Sequence, residues 1–230
     1  MIVFFYGSDT AQSRLALRSA IEKFKKERDP SGYNVSRFVS GECSQKIVAE
    51  DAVSAPFLAE KRLVVLEGVC GSGDDALIAW VRSALHPDFL PETTTLILWE
   101  GGGKTKGTGS KSLFDALKKE RFARCFDMPD ERDLPTYVRK KAEARGFSFS
   151  SSAAANFASR FAGDSWGIES SILMLQSFIF PSKIAEAADI DALFGSFAED
   201  QLFLCVEQVC RGESVFAEKT LLAQKRLGAD

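Results

Sequence analysis

Residues 2–6, 63–66 and 94–99 are continuous apolar or β-branched runs, each short and bounded by polar or glycine-containing stretches. That is how a strand covered on both faces reads. Residues 33–39 form a more mixed strand and residues 123–126 a weak one. Between the runs the spacing changes to three and four. Leu17, Ala20, Ile21 and Phe24 fall on one face of a helix, with Arg18, Glu22, Lys25 and Lys26 largely on the other. Ser8, Asp9 and Thr10 supply capping oxygens at its start, and Asp29-Pro30-Ser31-Gly32 ends it. Further helices are predicted over 76–85 and 112–121. Strands alternating with helices imply a parallel sheet with helices on both faces, because parallel neighbours need crossover connections. An α/β domain is therefore expected over residues 1–130.

After Pro129-Asp130 the strand rhythm stops. Asp133 and Leu134-Pro135 open a helix to about Arg145. Ala154, Phe157 and Phe161 share a helix face, and Ile168, Ile172, Leu175 and Ile179 form one stripe. Residues 131–192 thus read as a small all-helical domain. Two more amphipathic helices, 200–210 and 214–224, need a surface to pack on, so residues 193–230 read as the incomplete beginning of a further helical domain.

The 230 residues carry a net charge of -3, with 45% hydrophobic and 27% charged residues, the balance of an ordinary globular protein. That balance argues against a surface dominated by nucleic-acid binding. The cysteines (Cys43, Cys70, Cys125, Cys205, Cys210) are odd in number and contain no C-x-x-C pair. The run at 2–6 lacks a basic leader, and no apolar run approaches bilayer length. Reduced thiols and a cytoplasmic location are expected. With one histidine, His86, no metal site, cofactor or catalytic residue is expected, and the cysteine pair 205/210 reads as core packing rather than a metal site.

Two stretches invite comparison with a phosphate-binding loop, whose pattern is G-x-x-x-x-G-K-[ST]. Gly103-Lys104-Thr105 follows a strand, but the first glycine would fall at Leu98, inside it. The segment continues through Lys106 to Lys111 and reads as a flexible, solvated glycine-lysine loop, with Lys104, Lys106 and Lys111 as candidates for weak DNA-backbone contact. The first strand-to-helix turn keeps Gly7, but Gln12 and Ser13 stand where Gly-Lys is needed. This is a degenerate P-loop position at which ATP binding is not expected. A third stretch, Ala55-Pro56-Phe57-Leu58-Ala59-Glu60-Lys61-Arg62, suits a short helix with Pro56 in its first turn. From composition alone its Phe57-Leu58 pair reads as a staple to the core.

Several features in order along nearly the whole chain resemble the delta-subunit family of the bacterial DNA polymerase III clamp loader. They are Phe5-Tyr6-Gly7-Ser8-Asp9, Pro56-Phe57-Leu58-Ala59-Glu60-Lys61-Arg62-Leu63-Val64-Val65-Leu66, Thr94-Thr95-Leu96-Ile97-Leu98-Trp99-Glu100, the helix over 113–119, and Gly163-Asp164-Ser165-Trp166. The resemblance implies a AAA+-like parallel-sheet domain (1–130), a helical lid (131–192) and the start of a helical collar (193–230), most of which is lacking. It implies a non-catalytic subunit that has lost its ATPase site. Such a subunit binds the sliding clamp (the beta subunit) and helps open its ring or hold it open. Phe57 and Leu58 match the apolar pair that enters the clamp, which replaces the staple reading. The implied partners are the clamp, the gamma/tau and delta-prime subunits, and primer-template DNA only within the assembled complex, with no membrane. The lid helix departs from the family's E-[IL]-x-K-L pattern, reading Ser171-Ile172-Leu173-Met174-Leu175. The alternatives are a delta-prime-like subunit or a P-loop NTPase-related DNA-binding protein. The delta-prime family carries a cysteine zinc module and a Ser-Arg-Cys motif, whereas Ser36-Arg37-Phe38 and Ser159-Arg160-Phe161 lack the cysteine.

Overall fold

The apolar runs become a sheet in the computed structural model, which describes residues 1–102, 105–194 and Val209. In chain order the elements are β1 (Ile2–Gly7), α1 (Thr10–Arg28), β2 (Val35–Val39), α2 (Gln45–Val53), β3 (Arg62–Glu67), α3 (Val69–Ser72), α4 (Asp75–Ala84), β4 (Thr94–Gly101), α5 (Gly107–Leu117) and β5 (Ala123–Cys125). A second series follows: α6 (Leu134–Ala144), β6 (Ser148–Phe149), α7 (Ala153–Arg160), α8 (Ser165–Phe178), β7 (Ile184–Ala185) and α9 (Ala187–Phe194). The chain divides into two units, Met1–Asp130 with Gly163–Trp166, and Glu131–Ala162 with Gly167–Asp230.

In the first unit five parallel strands lie in the order β2-β3-β4-β1-β5. Alternation along each strand divides the core into two layers, as strand geometry requires. Leu63 and Val65 of β3, with Phe5 and Ile97, face α1 through Leu17 and Ile21. Val64 and Leu66, with Phe4, Leu96 and Leu98, face the other layer, which includes Val48, Trp80, Val81, Leu113 and Leu117. Every residue of β3 is buried, which is why Leu63 to Leu66 are apolar without interruption, and its charged ends, Arg62 and Glu67, are held in ion pairs. This is the AAA+-like parallel-sheet fold, with helices on both faces.

Three local features differ from the sequence expectation. Helix α2 lies in a stretch with no strong apolar stripe; Ser44 caps it, and only Val48 and Ala52 are buried. Helix α5 starts at Gly107, five residues earlier than expected, so Gly107 to Lys111 belong to a helix and not to a flexible loop. Burial of Ser110, Leu113 and Leu117 outweighs the poor helix propensity of two glycines. Residues 55–61 contain no helix, and Pro56, Phe57 and Leu58 lie on an irregular loop instead.

In the second unit the stripe Ile168, Ile172, Leu175 and Ile179 is buried, as are Ala154 and Phe157. Phe149, Phe157, Phe161 and Phe194 form a connected set of ring contacts. Glu169 is buried between Lys141 and Arg145. Burial pushes its carboxyl up, but the two cations outweigh that and hold it below its ordinary value. A two-residue parallel pair, β6 with β7, joins the helices. The two helices read over 200–210 and 214–224, with Cys205 and Cys210, lie outside the described residues.

Candidate functional site

Parallel strands put all their N-terminal ends on one edge of the sheet and all their C-terminal ends on the other. The three stretches singled out in the sequence are sorted accordingly. Phe57 and Leu58 precede β3 and lie at the N-terminal edge. Gly7 and Gly101 are register partners at the C-terminal edge, and Gly102 N–H donates to Gly7 O at 3.1 Å.

At the N-terminal edge, Leu58 is 90% exposed and Phe57 59% exposed. The pair is not a core staple. It sits on an irregular loop, and the reasons are local and long-range together. Helix α2 ends at Val53, with Ser54 in an extended conformation. Ala55 precedes Pro56, and a residue before proline is pushed away from helix geometry. Leu58 takes a left-handed φ of 51°, which no helix accommodates. The Asn34 side chain brackets the Phe57 backbone: Phe57 N–H donates to Asn34 Oδ1 at 2.5 Å, and Asn34 Nδ2 donates to Phe57 O at 2.8 Å. Arg62 anchors the loop's other base through Asp51 at 2.5 Å and the Ala55 carbonyl at 3.5 Å. Arg28 pairs with Glu60, and Lys61 donates to Glu92 O. The Glu-Lys-Arg run after the apolar pair is therefore the loop's anchorage. The Tyr33 ring, itself exposed, meets Phe57 edge-on with centroids 6.3 Å apart.

At the C-terminal edge only Ser8 and Asp9 separate β1 from α1, too few residues to wrap a triphosphate. Gly7 has φ 129°, and a Cβ there would overlap the Phe126 carbonyl, so this glycine serves close backbone packing. Asp9 is buried as the N-cap of α1, its carboxylate accepting the Gln12 N–H at 2.9 Å. Within the same unit the Ala11 N–H donates to Ser165 Oγ at 3.2 Å. A carboxylate and a hydroxyl thus stand where a helix N-terminus would meet a phosphate. Ser13 is buried, donates to Thr10 O, and accepts from Trp99 Nε1 at 3.1 Å.

Sequence reasoning missed the charged group beside this turn. Glu67, buried at the end of β3, pairs with Arg14 at 2.5 Å and with Arg37 at 2.8 Å. The Arg14 guanidinium also lies 3.6 Å from the Trp99 ring centroid. The available signal was an acidic residue closing a fully apolar strand. Glu100, at the end of β4, is also buried and accepts the Cys70 N–H at 2.6 Å. Burial pushes its carboxyl up to about 7, against the pull of backbone N–H groups of Cys70, Gly71 and Val69. Burial, and then Glu100, push the Cys70 thiol up as well.

Lys106 and Lys111 are exposed at the start of α5, where the Lys106 N–H donates to Cys70 O; Lys104 lies outside the described residues. Lys106 and Lys111, at the start of α5, lie toward the edge that carries Gly7, Gln12 and Ser13, not the Phe57-Leu58 edge. Among the described residues, no group of three His, Cys, Asp or Glu is placed to hold a metal, and no helix is long and apolar enough to cross a membrane.

No protein-family model matches the chain, and no curated protein does. Among solved structures, the chain is similar over 100% of its length to a DNA clamp loader delta protein of Bacillus subtilis, of which it covers 68%, with a TM-score of 0.61 and 18% identity. It is also similar over 91% of its length to two variants of Thermotoga maritima RuvB, covering 68% and 70% of them, with TM-scores of 0.53 and 0.52 and identities of 12% and 14%.

Proposed function

We propose that the chain is a delta-like clamp-loader subunit that binds a DNA sliding clamp through Phe57 and Leu58 and helps open its ring, or hold it open, during DNA replication. The observation that carries the reading is the 90% exposure of Leu58 beside Phe57 on an anchored loop. The pair stands at the place the family resemblance assigns to clamp contact, on a fold similar to that of a clamp loader delta protein. Exposed apolar side chains without neighbours to cover them mark interaction sites, and a few such anchors carry most of an interface's binding energy.

The chain acts without an ATPase of its own. The Asp9 carboxylate at the start of α1 repels a phosphate, and the Arg14 guanidinium is already engaged by Glu67. The gamma/tau and delta-prime subunits are its partners in the loader. Primer-template DNA meets it only in that assembly, with Lys106 and Lys111 available for backbone contact.

The test is a pull-down of the sliding clamp encoded in the same genome by the Phe57→Ala, Leu58→Ala double variant. Each side chain contributes about 1.5–3 kcal/mol on full burial, and about 1.4 kcal/mol is tenfold in affinity. Binding is expected to weaken by about 100-fold or more, with the melting temperature unchanged because both side chains are exposed. Wild-type binding by the double variant would refute the proposal.

A further inference from the structure

Asn34 is fully buried, yet every polar group it owns is used. Its N–H donates to Asp29 Oδ2 at 2.8 Å and its carbonyl accepts the Leu63 N–H at 2.8 Å. Its Nδ2 donates to Asp29 Oδ1 and to Phe57 O, and its Oδ1 accepts the Phe57 N–H. An asparagine amide is a donor and an acceptor side by side, the complement of one residue's backbone N–H and C=O. Here it reads the backbone of Phe57, 23 positions away in sequence. Asp29 is buried too; Ser31 Oγ donates to its Oδ1 at 2.7 Å. Burial pushes the Asp29 carboxyl up, but the bonds from Ser31 and Asn34 outweigh it and hold the group below its usual range. It stays a carboxylate that orients the Asn34 amide.

Immediately beyond this bracket Leu58 has φ 51°. A bulky residue keeps such a backbone only where its surroundings over-determine it, and such positions cluster at functional sites. A loop held in one shape loses less freedom when it binds, and its affinity is not reduced by the fraction of time spent in other shapes.

We propose that Asn34, oriented by Asp29, is the positioning residue that holds Phe57 and Leu58 in their clamp-binding conformation. The proposal rests on the clamp-docking reading of this loop, and its test separates the two. In the wild-type chain the Phe57 amide exchanges with solvent slowly, although the loop around it is exposed. In Asn34→Ala that protection is lost while the amides of β3 keep theirs. Clamp affinity falls by about 10-fold, mainly through a slower association rate, because fewer molecules present the binding shape. A fold-wide defect would instead deprotect β3. Should Asn34→Ala not fold, Asp29→Asn carries the same affinity measurement, with a loss of about 3-fold from a less well oriented amide. An unprotected Phe57 amide in the wild type overturns the proposal, as does unchanged clamp affinity in the folded variant. If the Phe57→Ala, Leu58→Ala chain binds the clamp like the wild type, the docking reading fails, while the Phe57 exchange rate still reports whether the Asn34 bracket exists.

Discussion

Replacing Glu100 by glutamine tests whether burial dominates the chemistry at the end of β4. The carboxyl is pushed from 4.5 to about 7, so the folded chain holds this proton over a pH range in which the unfolded chain has released it. Stability from such a group is fully present below the unfolded value and is lost as pH rises through the folded one. Integrated between pH 5 and pH 8, the loss is roughly 2–3 kcal/mol, taking the ordinary glutamate value for the unfolded chain. Glutamine keeps an oxygen for the Cys70 N–H and cannot ionise. Asp29, Asp127 and Glu169 are shifted downward, so their contributions are lost only in acid, below this window. The Met1 amine, lowered by burial and then Lys61, is common to both proteins and cancels in the difference. The assay is urea unfolding across this pH range, followed by the fluorescence of Trp80, Trp99 and Trp166, all in the first unit. The wild type should lose stability relative to Glu100→Gln as pH rises. Parallel pH profiles for the two proteins would refute the reasoning.

Gly7→Ala places a methyl group against the Phe126 carbonyl at a φ of 129°; a destabilisation of about 2 kcal/mol or more is expected in a thermal melt, and an unchanged melting temperature would contradict the packing described for this turn. Calorimetric titration with ATP and magnesium should give no binding heat at millimolar nucleotide, because Asp9 and Ser165 already satisfy the start of α1; micromolar affinity would show that the turn opens to a phosphate.

Most of the strand and helix content of the first unit was legible because the signal is local. The run at residues 63–66 is apolar without a break, as a strand covered on both faces requires. The helical stripe of Ile168, Ile172, Leu175 and Ile179 was equally plain, since burial of one face imposes the period directly. The departure of the first turn from the P-loop pattern could also be read from residue types alone, as Gln12 and Ser13 offer no cation for a phosphate. Helix α2 was not legible, because only Val48 and Ala52 of its nine residues are buried and no stripe develops.

What tertiary structure alone decided was where apolar and charged residues face, and which distant group holds them. A Phe-Leu pair has the same composition in a core and on a surface, so its exposure followed only from the loop's path. That path departs from a helix at Ala55-Pro56 for a local reason, but Asn34, distant in sequence, holds it there by bonding the Phe57 backbone. Likewise, Arg14 and Glu67 are far apart in sequence and meet only because α1 packs over the sheet beside β3. Periodicity records burial of an element against its neighbours in general; it does not record which neighbour. The local pattern therefore determined the layers of this protein, and the long-range hydrogen bonds and ion pairs determined what those layers present.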